Sequence, residues 1–409
     1  MSITVIEGGV TQAKGFKASC TAAGIKYQGR TDMAMVYSEA PCVSAGVYTS
    51  NVVKAAPVIW DREVTKSEVP VQVIVVNAGV ANACTGKQGL DYCEETAEAV
   101  SKALGVDKKG VIIGSTGVIG RQLPIDRITA GVKVLAEGLE GGTEAGTKAS
   151  KAIMTTDTVN KEVAVSFYIG DKKVTMGGMA KGSGMIHPNM CTMLAYITTD
   201  CAISKELMQE ALSEDVEETF NMISVDGDTS TNDTLVVLAN GLAGNEKIAS
   251  KGPEYETFKE ALHYINEYLA KHMAADGEGA TTLLEVKVTG ASSKAQAKKI
   301  AKSVICSSLT KAAIYGRDSN WGRIICAMGY SGAGFDPDKV SIWYEAAGKK
   351  MLIVENGMDA GYSEDEATNL LKNDSVTVIA DLHEGSESAT AWGCDLTYDY
   401  VKINADYRS

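Results

Sequence analysis

The sequence from Lys181 to Asp200, KGSGMIHPNMCTMLAYITTD, changes character near its middle. Its first half contains glycines and Pro188, which are typical of an irregular backbone. Its second half, 192–199, is rich in β-branched and other apolar residues and predicts a strand. A threonine, Thr192, therefore opens a strand directly after a loop that can hold a backbone exposed and strained.

The position of Thr192 suggests a specific chemistry. Its hydroxyl could attack the carbonyl of Cys191, and a break between these two residues would make Thr192 a new N-terminus. The hydroxyl would then lie beside a free α-amine with a reference pKa of about 7.7–8.0, which suits a general base at neutral pH. A threonine that opens a strand is more often a packing residue, so composition alone favours that interpretation.

Composition and charge limit the class of protein. The chain has 409 residues, of which 45% are hydrophobic, so we expect two or three folding units or one large layered unit. Its formal net charge of -13 disfavours nucleic acid and anionic membrane surfaces as partners. The nine cysteines show no C-x-x-C spacing, which disfavours a disulfide framework and a zinc ribbon.

The cysteine pattern indicates a reducing compartment with mostly buried thiols. We find neither a signal-peptide pattern at the N-terminus nor an apolar run of about 20 residues, the length that a membrane span needs. The sequence therefore predicts a cytoplasmic location.

Short β-rich segments alternate with helical ones, which predicts a layered α/β fold. Glycines and Pro188 predict an irregular backbone over 174–189. Apolar patterns predict strands at 71–76, 111–113, 192–199, 235–239 and 283–288, and a strand-like tail over 395–409. Helical spacing is found at 90–104, 125–139, 142–153, 204–222, 258–273 and 294–305.

The stretch from Lys181 to Asp200 resembles the self-cleavage signature of the ornithine acetyltransferases, also called glutamate N-acetyltransferases. Further motifs of that family follow one another in order along essentially the whole chain. These are GVTQAKGFKASCTAAGIK (9–26), VVNAGVANACTG (75–86), GSTGVIG (114–120), MTTDT (154–158), SVDGDTSTND (224–233), DGEGAT (276–281), YGRDSNWGRI (315–324) and INADYRS (403–409).

The resemblance implies a layered α/β sandwich of the self-cleaving Thr-nucleophile type, with an additional smaller α/β domain. It implies a precursor that cuts itself into an alpha chain, 1–191, and a beta chain, 192–409, which assemble as a heterotetramer of two of each. The implied reaction moves acetyl from N-acetylornithine to glutamate through an ester on Thr192. No cofactor is expected, and the use of acetyl-CoA as a second donor stays open.

The resemblance also assigns roles to single residues. Thr192 matches the nucleophile, and Thr116 and Gly117 match an oxyanion-hole pair, which agrees with their place after a buried strand. A carboxylate at Glu278 suits a substrate with a cationic side chain, although an isolated loop acid is usually exposed. The substrate-binding positions are Thr155, Lys181, Thr192, Glu278, Asn404 and Ser409, so the tail is expected to fold back into the site.

Two further motifs have simpler interpretations. The alternating polar residues from Asp226 to Asn232 mimic a calcium loop, but Thr231 and Val237 stand where that loop needs Gly and Glu. We therefore predict no metal and a capped turn at this place. His187, five residues before Thr192, is either a helper in self-cleavage or an ordinary loop residue.

Two departures from the family pattern concern the proposed chemistry. Cys191 stands where alanine is more common, and it keeps the small size of that position. Ser409 stands where threonine is common, and it keeps the hydroxyl. A self-cleaving amidohydrolase or aminopeptidase on the same scaffold is the main alternative function. A binding protein that is never cut is the third.

Overall fold

The computed structural model describes residues 3–187 and 193–405. Among them the chain forms two compact units, each built around one sheet. The first unit comprises the described residues within Met1–Gly182, Pro188–Phe220 and Thr229–Leu269, and the second comprises those within Ser183–His187, Asn221–Asp228 and Ala270–Ser409. Neither unit coincides with the predicted alpha and beta chains, because both units draw on each of them.

The first unit contains a nine-stranded sheet in the order β1-β6-β7-β8-β9-β3-β4-β5, with β2 beside β3. Long strand β3 pairs with β2 and β4 through its first half and with β9 through its second half. The strands are β1 (Thr4–Ile6), β2 (Phe16–Thr21), β3 (Met33–Tyr48), β4 (Val71–Val80), β5 (Val111–Val118), β6 (Lys161–Ile169), β7 (Lys172–Lys181), β8 (Leu194–Thr199) and β9 (Thr234–Ala239).

Helices and strands are interspersed along the described residues. They are α1 (Ala56–Lys66), α2 (Lys87–Leu104), α3 (Ile125–Glu137), α4 (Thr143–Ala152), α5 (Lys205–Asp215), α6 (Pro253–Ala275), α7 (Lys294–Cys306), α8 (Ser308–Gly316), α9 (Trp321–Gly329), α10 (Glu364–Leu370) and α11 (Tyr398–Ala405). No described helix combines the length and the apolar character that crossing a bilayer requires.

The core of the first unit lies on both faces of its sheet. Val73 and Val75 of β4 belong to a cluster with α2 and α3, whereas Ile74 and Val76 belong to a second cluster on the other face. Because both faces are covered, the strand is apolar along its whole length instead of alternating. The predicted strand at 71–76 is confirmed for that reason.

The second unit has a six-stranded sheet in the order β13-β12-β11-β14-β10-β15, in which β10 and β14 are parallel. Helix α7 packs against β10 and β15. The strands are β10 (Leu283–Ala291), β11 (Ser341–Ala346), β12 (Lys349–Glu355), β13 (Met358–Asp359), β14 (Ser375–Asp381) and β15 (Glu387–Cys394). Both units are α/β, and the α/β class is confirmed.

The prediction of an irregular backbone over 174–189 is wrong for its first part. Strand β7 continues to Lys181 through Gly177 and Gly178, which pair with β6 and β8. A Cβ on Gly177 would collide with the carbonyl oxygen of Gly9. These glycines therefore allow the backbone of another segment to approach closely. Glycine within a strand can indicate such close packing as well as a loop.

Three other expectations need correction. Strand β5 runs through Gly114 to Val118, so Thr116 and Gly117 lie within the strand rather than in a turn after it. The helix expected over 204–222 ends at Asp215. The tail expected to be strand-like forms helix α11, and residues 406–409 lie outside the described residues.

Candidate active site

In the first unit, strand β8 begins beside Lys181, one of the predicted substrate-binding residues. Leu194, its first residue, pairs with Lys181 of β7 on one side and with Thr234 of β9 on the other. The backbone N–H of Thr234 donates to the carbonyl oxygen of Met193 at 2.7 Å. Thr192 and Cys191 lie outside the described residues, and Thr192 comes two residues before Leu194 in the chain.

Lys181 belongs to a buried charged group that we call the Asp157 cluster: Thr155, Asp157, Lys161, Lys181 and Gly182. Its centre is the Asp157 carboxylate, which accepts from Lys161 Nζ at 2.8 Å and from the Gly182 N–H at 2.7 Å. Lys181 Nζ lies 3.8 Å from the other carboxylate oxygen, which also accepts from the Thr155 N–H at 3.1 Å. The cluster thus brings together two predicted substrate-binding residues, Thr155 and Lys181.

The two lysines decide the charge of Asp157. Burial alone would raise the pKa of this carboxyl, but the charges of Lys181 and Lys161 and the hydrogen bonds to it lower its pKa well below the ordinary value. Asp157 is therefore ionised at neutral pH. Because Lys181 is only 8% exposed, it is a buried ion-paired lysine and not a solvated one.

Asp233 is a second buried carboxyl in the first unit, and its pKa is shifted in the opposite direction. It directly precedes β9 and is 1% exposed. Burial raises the pKa of Asp233 well above its ordinary value, although Ser230, Thr49, Lys181 and the backbone N–H of Met193 favour the ionised form. Within residues 3–187 and 193–405, no donor meets strict hydrogen-bond distance and angle limits to either oxygen, although these groups lie close enough to lower the pKa.

Gly117 has a backbone that only glycine adopts easily. Its φ is +127°, and a Cβ there would collide with the backbone carbonyl of Gly79 on neighbouring strand β4. The ladder between β4 and β5 is irregular at this point, where Val80 faces both Thr116 and Val118. A bulged strand end of this kind turns backbone groups out of the ladder, which an oxyanion hole requires.

Asn232 fixes the strand end that contains Thr116. Its Nδ2 donates to the carbonyl oxygen of Ser115 at 2.8 Å and to that of Ala81 at 2.5 Å. Because Asp233 is the next residue, these bonds tie the end of β5 to the segment that leads into β9. Asn232 thus links these two segments through its side chain.

In the second unit, Glu278 lies in a closely packed group. It is 7% exposed, and its Oε2 accepts from Asn404 Nδ2 at 2.7 Å. Its backbone N–H donates to the carbonyl oxygen of Ser183 at 2.9 Å, and a Cβ on Gly184 would collide with its carboxylate. The usual interpretation of an exposed loop acid is wrong here. Glu278 and Asn404 are brought together, and Ser409 lies outside the described residues.

The polar turn at Asp226 caps backbone groups as predicted. Its carboxylate accepts from the N–H groups of Met185 at 2.6 Å and Ile186 at 2.9 Å. The Tyr400 hydroxyl of α11 donates to the same carboxylate at 3.3 Å. Asp226 therefore holds the segment that follows Gly184. No group of three or more His, Cys, Asp or Glu within the described ranges could hold a metal ion.

His187 is neutral at physiological pH. Burial, together with the charge of Lys302, lowers its pKa to about 4. Its Nδ1 lies 3.1 Å from Ser224 Oγ and 3.5 Å from Cys306 Sγ. A neutral imidazole is able to act as a base, so a helper role in self-cleavage stays a prediction.

The sequence interpretation missed Asp157 and Asp233 and treated Asn232 only as part of a capped turn. Asp157 lies within the motif MTTDT, and the other two end the motif SVDGDTSTND. The motifs could have drawn attention to these residues, because an acidic residue within a short polar motif calls for an explanation. What the sequence does not give is burial, which separates these acids from ordinary turn residues.

The chain is similar to known proteins over nearly its full length. Residues 17–409 match the model of the ArgJ family. The arginine biosynthesis bifunctional protein ArgJ 1 of Clostridium acetobutylicum is 50% identical over 400 residues, which cover 98% of this chain and 97% of that protein. The corresponding protein of Symbiobacterium thermophilum is 49% identical over 406 residues, which cover 99% of each chain.

Two solved structures are similar to part of this chain. The arginine biosynthesis bifunctional protein of Bacillus halodurans is 49% identical, covers 51% of this chain and 97% of its own, and has a TM-score of 0.49. The ornithine acetyltransferase of Mycobacterium tuberculosis, complexed with ornithine, is 42% identical, covers 46% of this chain and 99% of its own, and has a TM-score of 0.44. The family match and the full-length relatives show that the chain belongs to the ArgJ family and is an acyltransferase of arginine biosynthesis.

Proposed function

We propose that the chain cuts itself between Cys191 and Thr192 and then moves acetyl from N-acetylornithine to glutamate through an ester on Thr192. The names of the full-length relatives place them in arginine biosynthesis, which supports this reaction. The motif from Lys181 to Asp200 supports the position of the cut.

The proposal rests mainly on the residues that surround the first residue of β8. The strand pairs there with Lys181, and Asp233 lies beside Met193 on the other side. A buried cation and a buried carboxyl of raised pKa are therefore close to the residue that follows Thr192. Such groups serve proton transfer and the stabilisation of negative charge better than they serve packing.

The transfer consists of two half-reactions. The Thr192 hydroxyl adds to the acetyl carbonyl of N-acetylornithine while the α-amine of Thr192 takes its proton. The ornithine nitrogen leaves with a proton, and acetyl stays as an ester. The amine of glutamate then attacks this ester. Thr116 and Gly117 would stabilise the oxyanion in both steps, where removal of one donor typically costs about 10²–10³ in turnover.

The proposed binding residues differ in charge. Lys181 offers a cation for a substrate carboxylate, and the hydroxyl of Thr155 offers a polar contact beside it. Glu278, fixed by Asn404, offers an anion for the cationic side chain of ornithine. Ser409 would add a hydroxyl from the end of the tail.

The sheet of the first unit supports stable association of the two chains after the cut. Strands β8 and β9, which follow the cut, lie side by side between β7 and β3, which precede it, and pair with them in one sheet. We propose an assembly of two alpha and two beta chains in the cytoplasm. Acetyl-CoA as a second donor is part of the proposal, and no cofactor is needed.

One assay decides between acetyl transfer and hydrolysis. Purified protein receives N-acetylornithine with and without glutamate, and acetate, ornithine and N-acetylglutamate are measured. We expect ornithine and N-acetylglutamate to form together, and only when glutamate is present. Acetate released without glutamate would favour the amidohydrolase or aminopeptidase instead.

A second experiment tests the nucleophile. Thr192→Ala should leave a single band near 43.1 kDa on a denaturing gel and abolish transfer, because both steps need the hydroxyl. An active, uncut variant would show that another residue performs the chemistry. Repeating the transfer assay with acetyl-CoA in place of N-acetylornithine tests the second donor.

A further inference from the structure

The proposed oxyanion residues, Thr116 and Gly117, are the only residues of β5 that are not buried. Donors of an oxyanion hole act well only when they lie about 2.7–3.1 Å from the place where the negative charge develops. Gly117 has a φ of +127°, a conformation that glycine adopts because its backbone is unusually free. The neighbouring chain therefore has to fix this part of the strand.

The backbone beside Gly117 belongs to Gly79 of β4. The two glycines face each other in the ladder, and a Cβ on Gly117 would lie 2.3 Å from the carbonyl carbon of Gly79. Gly79 also has a positive φ, of +115°, and the register of the ladder shifts directly after it, at Val80. The position of Gly117 thus depends on how β4 bends at Gly79 and Val80.

Asn77 closes this bend with its side chain. Its Nδ2 donates to the carbonyl oxygen of Val80 at 2.9 Å, so the bond spans Gly79. Its Oδ1 accepts from the Ser115 hydroxyl at 2.7 Å, and Ser115 directly precedes Thr116 in β5. One buried amide therefore holds the bend of β4 with one end and the oxyanion strand with the other.

Ser115 is held from a second side as well. Its carbonyl oxygen accepts from Asn232 Nδ2 at 2.8 Å, and the residue is 1% exposed. A fully hydrogen-bonded network of buried polar side chains specifies a single arrangement, whereas apolar contacts fix geometry less strictly. Valines occupy the two positions before Asn77 in β4, so burial alone does not require an amide here. Geometry is the better reason for Asn77.

We infer that Asn77 is a positioning residue for acetyl transfer, which rests on the proposed role of Thr116 and Gly117. Its amide fixes the bend of β4 and, through Ser115, the strand that presents the oxyanion donors. Asn77 acts through these backbone groups rather than by contact with the substrate. Because the oxyanion is absent from the bound substrate, loss of the amide should lower kcat without weakening the binding of either substrate.

The test is steady-state transfer of acetyl from N-acetylornithine to glutamate by the purified protein, with kcat referred to the cut fraction on a denaturing gel. Asn77→Ala removes both bonds of the amide. We expect kcat to fall by about 10²-fold, because a displacement of about 1 Å can cost that much. The KM values of both substrates should stay unchanged, so that kcat/KM falls equally.

Asn245→Ala is the matched control, because Asn245 is also a buried amide of the first unit that is bonded at both ends. Its Oδ1 accepts from the Ala202 N–H at 2.9 Å, and its Nδ2 donates to the Glu246 carbonyl oxygen at 2.8 Å. The control should lose stability in urea, as Asn77→Ala does, yet keep its kcat. An equal fall of kcat in both variants would show a general loss of structure and overturn the inference.

Ser115→Ala gives an independent check, because it removes one bond of the amide and leaves Asn77 in place. We expect a smaller fall in kcat than for Asn77→Ala, again with unchanged KM values. This variant decides if Asn77→Ala does not fold or is not cut. Unchanged kcat in the folded, cut variants, or a rise in KM instead of a fall in kcat, would contradict the positioning role.

The proposed function fails on a different result. If the unmodified protein forms no N-acetylglutamate from N-acetylornithine and glutamate, the proposed reaction is wrong. If it transfers acetyl and the variants of Asn77 and Ser115 do so at the same rate, only the positioning role of Asn77 is wrong.

Discussion

Single buried residues carry the chemistry that we propose, and their surroundings decide their state. Asp157 and Asp233 are both buried acids in the first unit, yet the pKa of Asp157 is lowered and that of Asp233 is raised. The difference comes from Lys161 and Lys181, whose charges outweigh burial at Asp157, whereas burial is the largest effect at Asp233 and its neighbours do not offset it. Residue type alone therefore does not set the role of either acid.

Asp157→Asn should destabilise the protein strongly, because it leaves the ammonium groups of Lys161 and Lys181 buried beside a neutral amide. Breaking a buried ion pair typically costs about 3–5 kcal/mol. Urea unfolding in a Thr192→Ala background, where the chain stays intact, measures the loss. Asp171→Asn, an exposed acid paired with Lys172, is the control and should not move the midpoint. Equal midpoints for both variants would contradict the prediction.

Gly184→Ala should weaken the binding of N-acetylornithine. The new Cβ would displace the Glu278 carboxylate and break its bond from Asn404. A hydrogen bond to a charged group contributes about 1.5–3 kcal/mol, so we expect KM to rise by about 10–100-fold. Gly316→Ala, where a Cβ meets nothing, is the control. An unchanged KM in steady-state transfer assays would remove Glu278 from the site.

At the scale of elements, long apolar segments were predictable and glycine-rich ones were not. The strand at 71–76 and the helices α2 and α7 follow directly from apolar periodicity. Strand β7 was not predicted, because Gly177 and Gly178 read as loop signals. Their reason is close approach of the Gly9 backbone and of Ile265 and Leu269, and these neighbours are distant in sequence.

Helices α5 and α6 are linked by His263, whose contribution to stability should depend on pH. Its hydrogen bonds to Asp215 at 2.6 Å and Glu267 at 3.2 Å raise the pKa of His263 to about 10. A raised pKa means that the contribution is complete below the unfolded value of about 6.5 and disappears as pH rises through about 10.

His263→Gln tests this dependence. The side chain is 45% exposed, so solvent screening limits the effect to about 1 kcal/mol or less. Thermal unfolding should place the variant below the unmodified protein in mildly acidic buffer, and the difference should vanish in strongly alkaline buffer. A constant difference across the range would show that packing, not the ion pair, is lost. His383→Gln, with a longer contact of 3.5 Å to Asp381, is the matched control.

At the scale of the whole molecule, the proposed cut does not follow a boundary of the fold. Residues on both sides of it form one nine-stranded sheet, in which β8 lies between β7 and β9. Removing the beta chain would leave the edges of β7 and of the second half of β3 without partners. It would also take Leu194, Tyr196, Val236 and Leu238 out of an apolar cluster made otherwise of alpha-chain residues.

The two cut chains should therefore elute together from a size-exclusion column under native conditions and separate only in denaturant. A denaturing gel of the single native peak should show both bands in equal amounts. The uncut Thr192→Ala chain gives the reference elution volume. A beta chain that elutes alone without denaturant would contradict the sheet pairing described for the first unit.

The sequence by itself determined the α/β class, most buried strands and helices, the ArgJ family and the position of Thr192, since apolar periodicity and contiguous motifs are local properties. Only the tertiary structure decided that Glu278 is buried against Gly184 and Asn404, that Lys181 pairs with Asp157, and that burial raises the pKa of Asp233. Burial and charge pairing join residues far apart in the chain, and the pKa of an acid depends on those neighbours rather than on its own sequence position.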